Sequence, residues 1–186
     1  MSVAIAPMPE LHGARVRLRA LAAHDAHALF ALHSDTRVMR YWSFPAWSER
    51  TQAASHIERI SRERASMECY PWAATLLDED TLIGTCSLSG IHREQRRGVI
   101  GFALSSPLWG RGFGSEMLRL ALDHAFGALG LDRIEADVDA ENLASRALVE
   151  RAGFKREGSL HARWHSGGGL QETLLYGLRR KECVAR

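Results

Sequence analysis

The chain has 186 residues, 46% of them apolar and 25% charged, the balance of a globular protein with a real core and not of a disordered chain. Lys plus Arg number 24 against 22 Asp plus Glu, a net charge of +2 that supplies no broad positive field for nucleic acid. Cys69, Cys86 and Cys183 are too few and too scattered for a disulfide framework or a metal site and suit a reducing, cytoplasmic setting, and no apolar run reaches membrane-spanning length.

Residues 1–12, with Pro7 and Pro9, read as a loose lead-in to a single domain over residues 13–182. Arg15-Val16-Arg17-Leu18-Arg19 alternates charged and apolar side chains, as a half-buried strand does. Asp25 stands where it can cap a helix carrying Leu29 and Leu32. Tyr41, Trp42, Phe44 and Trp47 follow in a loop that reads either as packed or as one wall of a groove. Ser48 is placed to cap a second helix running to about Ser66, with Ala53, Ile57 and Ile60 on one face.

Three strands are expected over 70–77, 82–91 and 98–104, joined by Asp78-Glu79-Asp80 and by residues 92–97. Met117, Leu118, Ala121, Leu122, Ala125 and Leu129 then repeat at helical spacing up to Gly130. Residues 133–139 alternate again. Asn142 caps a helix over 143–152 that Gly153 stops, and strands at 155–164 and 172–178 flank Ser166-Gly167-Gly168-Gly169. The pattern is that of an α+β fold.

The chemistry is concentrated in Leu108-Trp109-Gly110-Arg111-Gly112-Phe113-Gly114-Ser115-Glu116, which joins an expected strand to an expected helix. Glycines at alternate positions let backbone approach a ligand, and the helix start aims open N–H groups and a positive dipole at the same turn. Taken alone, that reads either as a receptor for phosphate or as a tight turn whose glycines serve packing. It is not a P-loop, because no Lys precedes Ser115, and not a dinucleotide fingerprint, because Ser115 stands where the last Gly would be. Further on, Asn142 opens a helix and Ser145 falls one turn later on the same side.

Residues 108–116 and 138–154, in this order and spacing, resemble the acyl-CoA N-acyltransferase (GNAT) superfamily, and within it the ribosomal-protein alanine N-acetyltransferase branch. The likeness extends to Arg17-Leu18-Arg19, Asp25, Ile83-Gly84, Ile100-Gly101-Phe102 and Tyr176-Gly177-Leu178. It implies a mixed, mostly antiparallel central sheet with about four helices, in which the strands 98–104 and 134–138 splay apart around a bulge. It implies acetyl-CoA as co-substrate and no metal. The N–H groups of Arg111, Gly112, Phe113, Gly114 and Ser115 would wrap its diphosphate, with Leu104 and Asn142 beside the pantetheine arm. Ser145 would lie near the sulfur, able to protonate the leaving thiolate, and an N–H on the bulged strand near 102–104 would polarise the thioester carbonyl.

The implied activity is acetyl transfer to a primary amine, on a small molecule or a protein N-terminus, by direct attack in a ternary complex. The protein would act as a monomer or homodimer, with no nucleic-acid or membrane partner. Relatives often carry Glu where Val99 stands, so the base has to lie elsewhere. Glu172 is the first candidate for base or amine anchor, with Glu141, Asp139 and His165 in reserve; Glu172 also reads as an ordinary strand-surface carboxylate. Val99 leaves open a second reading, a non-catalytic acyl-CoA-binding sensor or accessory domain.

Overall fold

The computed structural model describes residues 8–63, 69–166 and 169–183. The strands are β1 (Leu11–His12), β2 (Val16–Ala20), β3 (Tyr70–Leu76), β4 (Leu82–His92), β5 (Arg97–Leu104), β6 (Arg133–Asp139), β7 (Lys155–Ser166) and β8 (Gly169–Arg179). The helices are α1 (Ala26–Ser34), α2 (Thr36–Met39), α3 (Thr51–Glu63), α4 (Phe113–Phe126) and α5 (Leu143–Arg151). The strands form one sheet in the order β1-β2-β3-β4-β5-β6-β8-β7, antiparallel throughout except between β5 and β6.

Alternation along the strands divides the core into two layers. Trp72, Ala74, Ile83 and Ile100 point to the face covered by α4 and α5, together with Leu118, Ala121 and Val149. Ala73, Leu82 and Ala103 point the other way, into a smaller cluster with Leu29, Leu32, Val38, Trp47 and Ile57 from the α1–α3 side. Both layers converge on β5, the strand that leads into the glycine turn.

Several local expectations change. The lead-in is tied down from Met8 onward: β1 pairs with β2, and the Trp72 indole donates to the Pro9 carbonyl at 2.9 Å. Asp25 caps no helix; it is buried and accepts two bonds from the Arg19 guanidinium at 2.7 and 2.8 Å and one from the Ala22 N–H at 2.8 Å. Burying that carboxylate demands a matched cation, and Arg19 outcompetes the helix end. At α3 the cap is also not Ser48: the Gln52 side chain reaches back to accept the N–H groups of Ser48 and Glu49, both at 2.9 Å.

Helix α4 stops at Phe126, short of Gly130. The far end of the second predicted helix, at Ser66, and the Gly167-Gly168 turn lie outside the described residues. The splay is present, but the irregular pairing of β5 with β4 falls between Ser89 and His92, at the end where β5 meets β6, and not near 102–104. Gly90, with φ of +54°, takes up that extra residue.

Candidate active site

Strands β5 and β6 run parallel for three pairs only, Arg97 with Arg133, Gly98 with Ile134 and Val99 with Glu135. Beyond that point each follows a different neighbour. Strand β5 stays with β4 as far as Leu104 opposite Gly84, and β6 stays with β8 as far as Asp139 opposite Thr173. The gap between them opens into a cavity of about 1160 Å³, lined by both strands, the glycine turn, α5, the loop after α2 and the ends of β7 and β8.

The pairing also fixes which backbone groups face the gap. The Ser105 N–H goes to the Ile83 carbonyl at 2.9 Å, so by alternation the N–H groups of Phe102 and Leu104 point the other way, into the cavity. The same reasoning from the Ala140 N–H, bonded to the Glu172 carbonyl at 2.9 Å, turns the amides of Asp137 and Asp139 inward. An extended, amide-bearing ligand therefore meets two open strand edges. The Leu104 carbonyl is already taken by the Trp109 indole at 2.8 Å.

The glycine turn forms one rim. Gly112 precedes α4 with φ of +85° and no side chain caps the helix, so the N–H groups of its first turn stay open. A Cβ on Gly112 would come within 3.1 Å of an Arg15 nitrogen, and one on Gly114 within 3.3 Å of Leu148 on α5. Gly112, Gly114 and Ser115 line the cavity, whereas the Arg111 and Phe113 side chains do not. Phe113 is buried in the core, and the Arg111 guanidinium lies 5.5 Å from its ring centre, outside the cavity wall.

A residue that sequence reasoning missed holds this turn. Arg15, in the bend between β1 and β2, donates to the Arg111 carbonyl at 3.1 Å and lies 4.5 Å over the Phe113 ring. Its partner is Glu116, whose carboxylate accepts the N–H groups of Arg15 (2.7 Å) and Val16 (3.1 Å) and the Arg15 side chain (3.2 Å). Burial alone would raise the Glu116 pKa, but these donors hold it below the usual carboxylate value. The separation of about a hundred residues hid this clamp from local reading.

Asn142 and Ser145 are brought to the same wall. The Asn142 side-chain oxygen accepts the Ser145 N–H at 3.1 Å and so caps α5, and both residues line the cavity with Leu104. Glu172 is not brought in. Its neighbours Gln171 and Thr173 line the cavity, while strand alternation puts Glu172 on the face of Leu174 and Tyr176, beneath α5. The His165 side chain lies outside the described residues.

The acids that do face the cavity are Asp137, Asp139 and Glu141. Asp137 is paired with Arg163 at 3.0 Å. Asp139 accepts the Glu141 N–H at 2.8 Å, and burial raises its pKa above the usual carboxylate value, against the pull of that N–H and of Arg40 and with a smaller push from the Glu141 charge. A desolvated carboxylate in a cleft, short of a counter-ion, is a candidate acid–base group. The aromatic loop divides: Tyr41 and Trp42 line the cavity, while Trp47 stacks on buried His33 at 4.4 Å. Cys86 is no nucleophile, since it is buried away from the cavity and burial pushes its thiol up to about 12.

The molecule as a whole is similar to known acetyltransferases. Residues 15–155 match the family described as "Acetyltransferase (GNAT) domain". The chain is 31% identical over 175 residues to the uncharacterized N-acetyltransferase p20 of Bacillus licheniformis, covering 94% of this chain and 98% of that one. It is 29% identical over 171 residues to the spermidine N(1)-acetyltransferase of Escherichia coli K12, covering 90% and 86%. Its fold superposes on Mycobacterium smegmatis RimJ in complex with CoA-disulfide with a TM-score of 0.82 at 25% identity, covering 94% and 87%.

Proposed function

The chain belongs to the GNAT acetyltransferase family, and on that premise we propose that it moves an acetyl group from acetyl-CoA to a primary amine by direct attack in a ternary complex. The observation that carries this reading is the parting of β5 from β6 after three residue pairs, with the uncapped start of α4 at the rim of the gap. The residues fit the coenzyme. A diphosphate needs several converging N–H donors and no side chain in the way, which the Gly112–Ser115 turn supplies. The pantetheine arm needs open strand edges, which the Phe102 and Leu104 amides supply on one side and those of Asp137 and Asp139 on the other.

Bound there, acetyl-CoA supplies an acetyl group activated as a thioester. One of these β5 amides, near 102–104, polarises the carbonyl, leaving the other to the pantetheine arm. Asp139 holds the acceptor's ammonium and takes its proton, because an amine with an ordinary pKa of about 8 to 10 carries no free lone pair at neutral pH. Ser145 offers a hydroxyl proton to the departing sulfur. Its help is modest, since a thiol with a pKa of about 8.5 leaves readily. Glu172, facing away from the cavity, takes no part, and the carboxylate missing at Val99 is replaced from the end of β6.

Titration calorimetry with acetyl-CoA, followed by thiol-release assays over a panel of primary amines and N-terminal peptides, tests this. Binding together with amine-dependent release of CoA is expected. Binding without release on any amine would move the reading to the sensor alternative, and a folded protein that ignores acetyl-CoA would remove both.

A further inference from the structure

The charged side chains of the acceptor half of the cavity separate into matched and unmatched groups. Asp137 is matched by Arg163 at 3.0 Å, and Arg37 by Asp35 at 2.8 Å. Asp139 and Glu141, at the end of β6, and Arg40, just after α2, also line the cavity, yet among the described residues none of the three makes an ion pair. The Arg40 guanidinium rests 5.2 Å from the Tyr41 ring centre, and its charge is felt at Asp139. The neutral side chains that line the cavity from the same loop and from the ends of β7 and β8 are Tyr41, Trp42, Trp164, Gln171 and Thr173. Arg151, the remaining unmatched cation of the lining, stands in the last turn of α5, at the opposite end of that helix from Asn142.

Two unmatched anions at the end of β6 and one unmatched guanidinium on the loop after α2, lining one cavity, form the imprint of a ligand carrying the complementary charges. Resting on the amine-acetylating reading above, we propose that the acceptor is a primary amine that also bears an anionic group, its ammonium at Asp139 and Glu141 and its anion on Arg40. A guanidinium grips a planar carboxylate with two parallel hydrogen bonds, and a bond to a charged group is stronger than a neutral one. A diamine or polyamine of matching length would bring its second ammonium against Arg40, a like-charge contact that disfavours it. In the transfer the acceptor nitrogen forms the new N–C bond as the C–S bond breaks. The ammonium loses two of its three protons, one to Asp139 and one to solvent, the sulfur takes a proton through Ser145 and leaves as thiol, and the anionic group on Arg40 is unchanged.

The test compares acceptors that differ only in that charge. Glycine through 6-aminohexanoate would be assayed against their amides, the dipeptides Ala-Asp and Ala-Glu against Ala-Asn and Ala-Gln, and spermidine against all of them, by CoA release at saturating acetyl-CoA. The best carboxylate should exceed its amide in kcat/KM by about tenfold, and whether it is a free amino acid or a dipeptide identifies the source of the amine. Arg40→Gln should bring that ratio close to one, and Arg40→Glu should turn the preference toward spermidine. Equal rates for acids and amides, spermidine as best acceptor of the unaltered protein, or a ratio that survives Arg40→Gln would overturn the proposal. So would an Arg40→Gln effect confined to the Kd for acetyl-CoA, or acetyl-CoA binding with no acceptor turned over. Failure to bind acetyl-CoA at all would instead remove the underlying reading of the cavity.

Discussion

The two sides of the cavity are made of different material. The side proposed for the coenzyme is mostly main chain: the open N–H groups of α4, the inward amides of β5 and β6, and glycines whose missing side chains leave the space. The acceptor side is mostly side chain, from the loop after α2 and the ends of β6, β7 and β8. Main-chain donors are fixed by the fold and indifferent to most substitutions. The side chains opposite can be exchanged without touching the scaffold, which lets one fold serve different amines.

That contrast predicts where substitutions act. The largest effect is expected from Asp139→Asn, which should lower kcat/KM about 10²- to 10³-fold with little change in the Kd for acetyl-CoA. A base must be deprotonated to act, so the unaltered enzyme should lose activity as the pH falls through the raised pKa of Asp139. The variant should lack that acidic limb, and a pH–rate profile identical to the parent's would take Asp139 out of the chemistry. Next comes Gly112→Val, which forces a β-branched residue to φ of +85° beside Arg15. The Kd for acetyl-CoA should rise about a hundredfold, read by calorimetry.

Arg15→Gln should weaken acetyl-CoA about tenfold through a loosened turn, with kcat at saturation nearly unchanged. Replacing Ser145 by Ala should cost only a few-fold in kcat, because the thiolate leaves well unaided. The smallest effect on turnover is expected from His33→Phe, below the aromatic loop. His33 is buried with neither ring nitrogen partnered, and burial, with a smaller push from His56, lowers its pKa to about 4. The unfolded chain binds that proton first, so the folded state loses stability as the pH drops from about 6.5 toward 4. In the Phe variant melting temperatures measured across that window should fall less steeply, with activity at neutral pH retained.

The glycine-turn half of the cavity was legible in the residues because its signals are local. Glycines at 110, 112 and 114 before an amphipathic run announce an open helix start, and Asn142 announces the next one. The acceptor half was not. Whether Glu172 or its neighbours Gln171 and Thr173 face the cavity depends on strand parity, and a shift of one residue changes the answer. The Arg15–Glu116 clamp spans about a hundred residues, and nothing near either end hints at the other.

The order of the strands from β2 to β8 and of the four longer helices, the glycine turn and the serine one turn beyond Asn142 followed from the amino-acid sequence alone, because spacing over a few residues dictates which backbone groups are left open. Which carboxylate enters the cleft, which arginine faces it and how the aromatic loop divides between core and wall were decided by tertiary structure. Those outcomes depend on where distant elements dock and on which charges find a partner when they do, and no short stretch of chain contains that information.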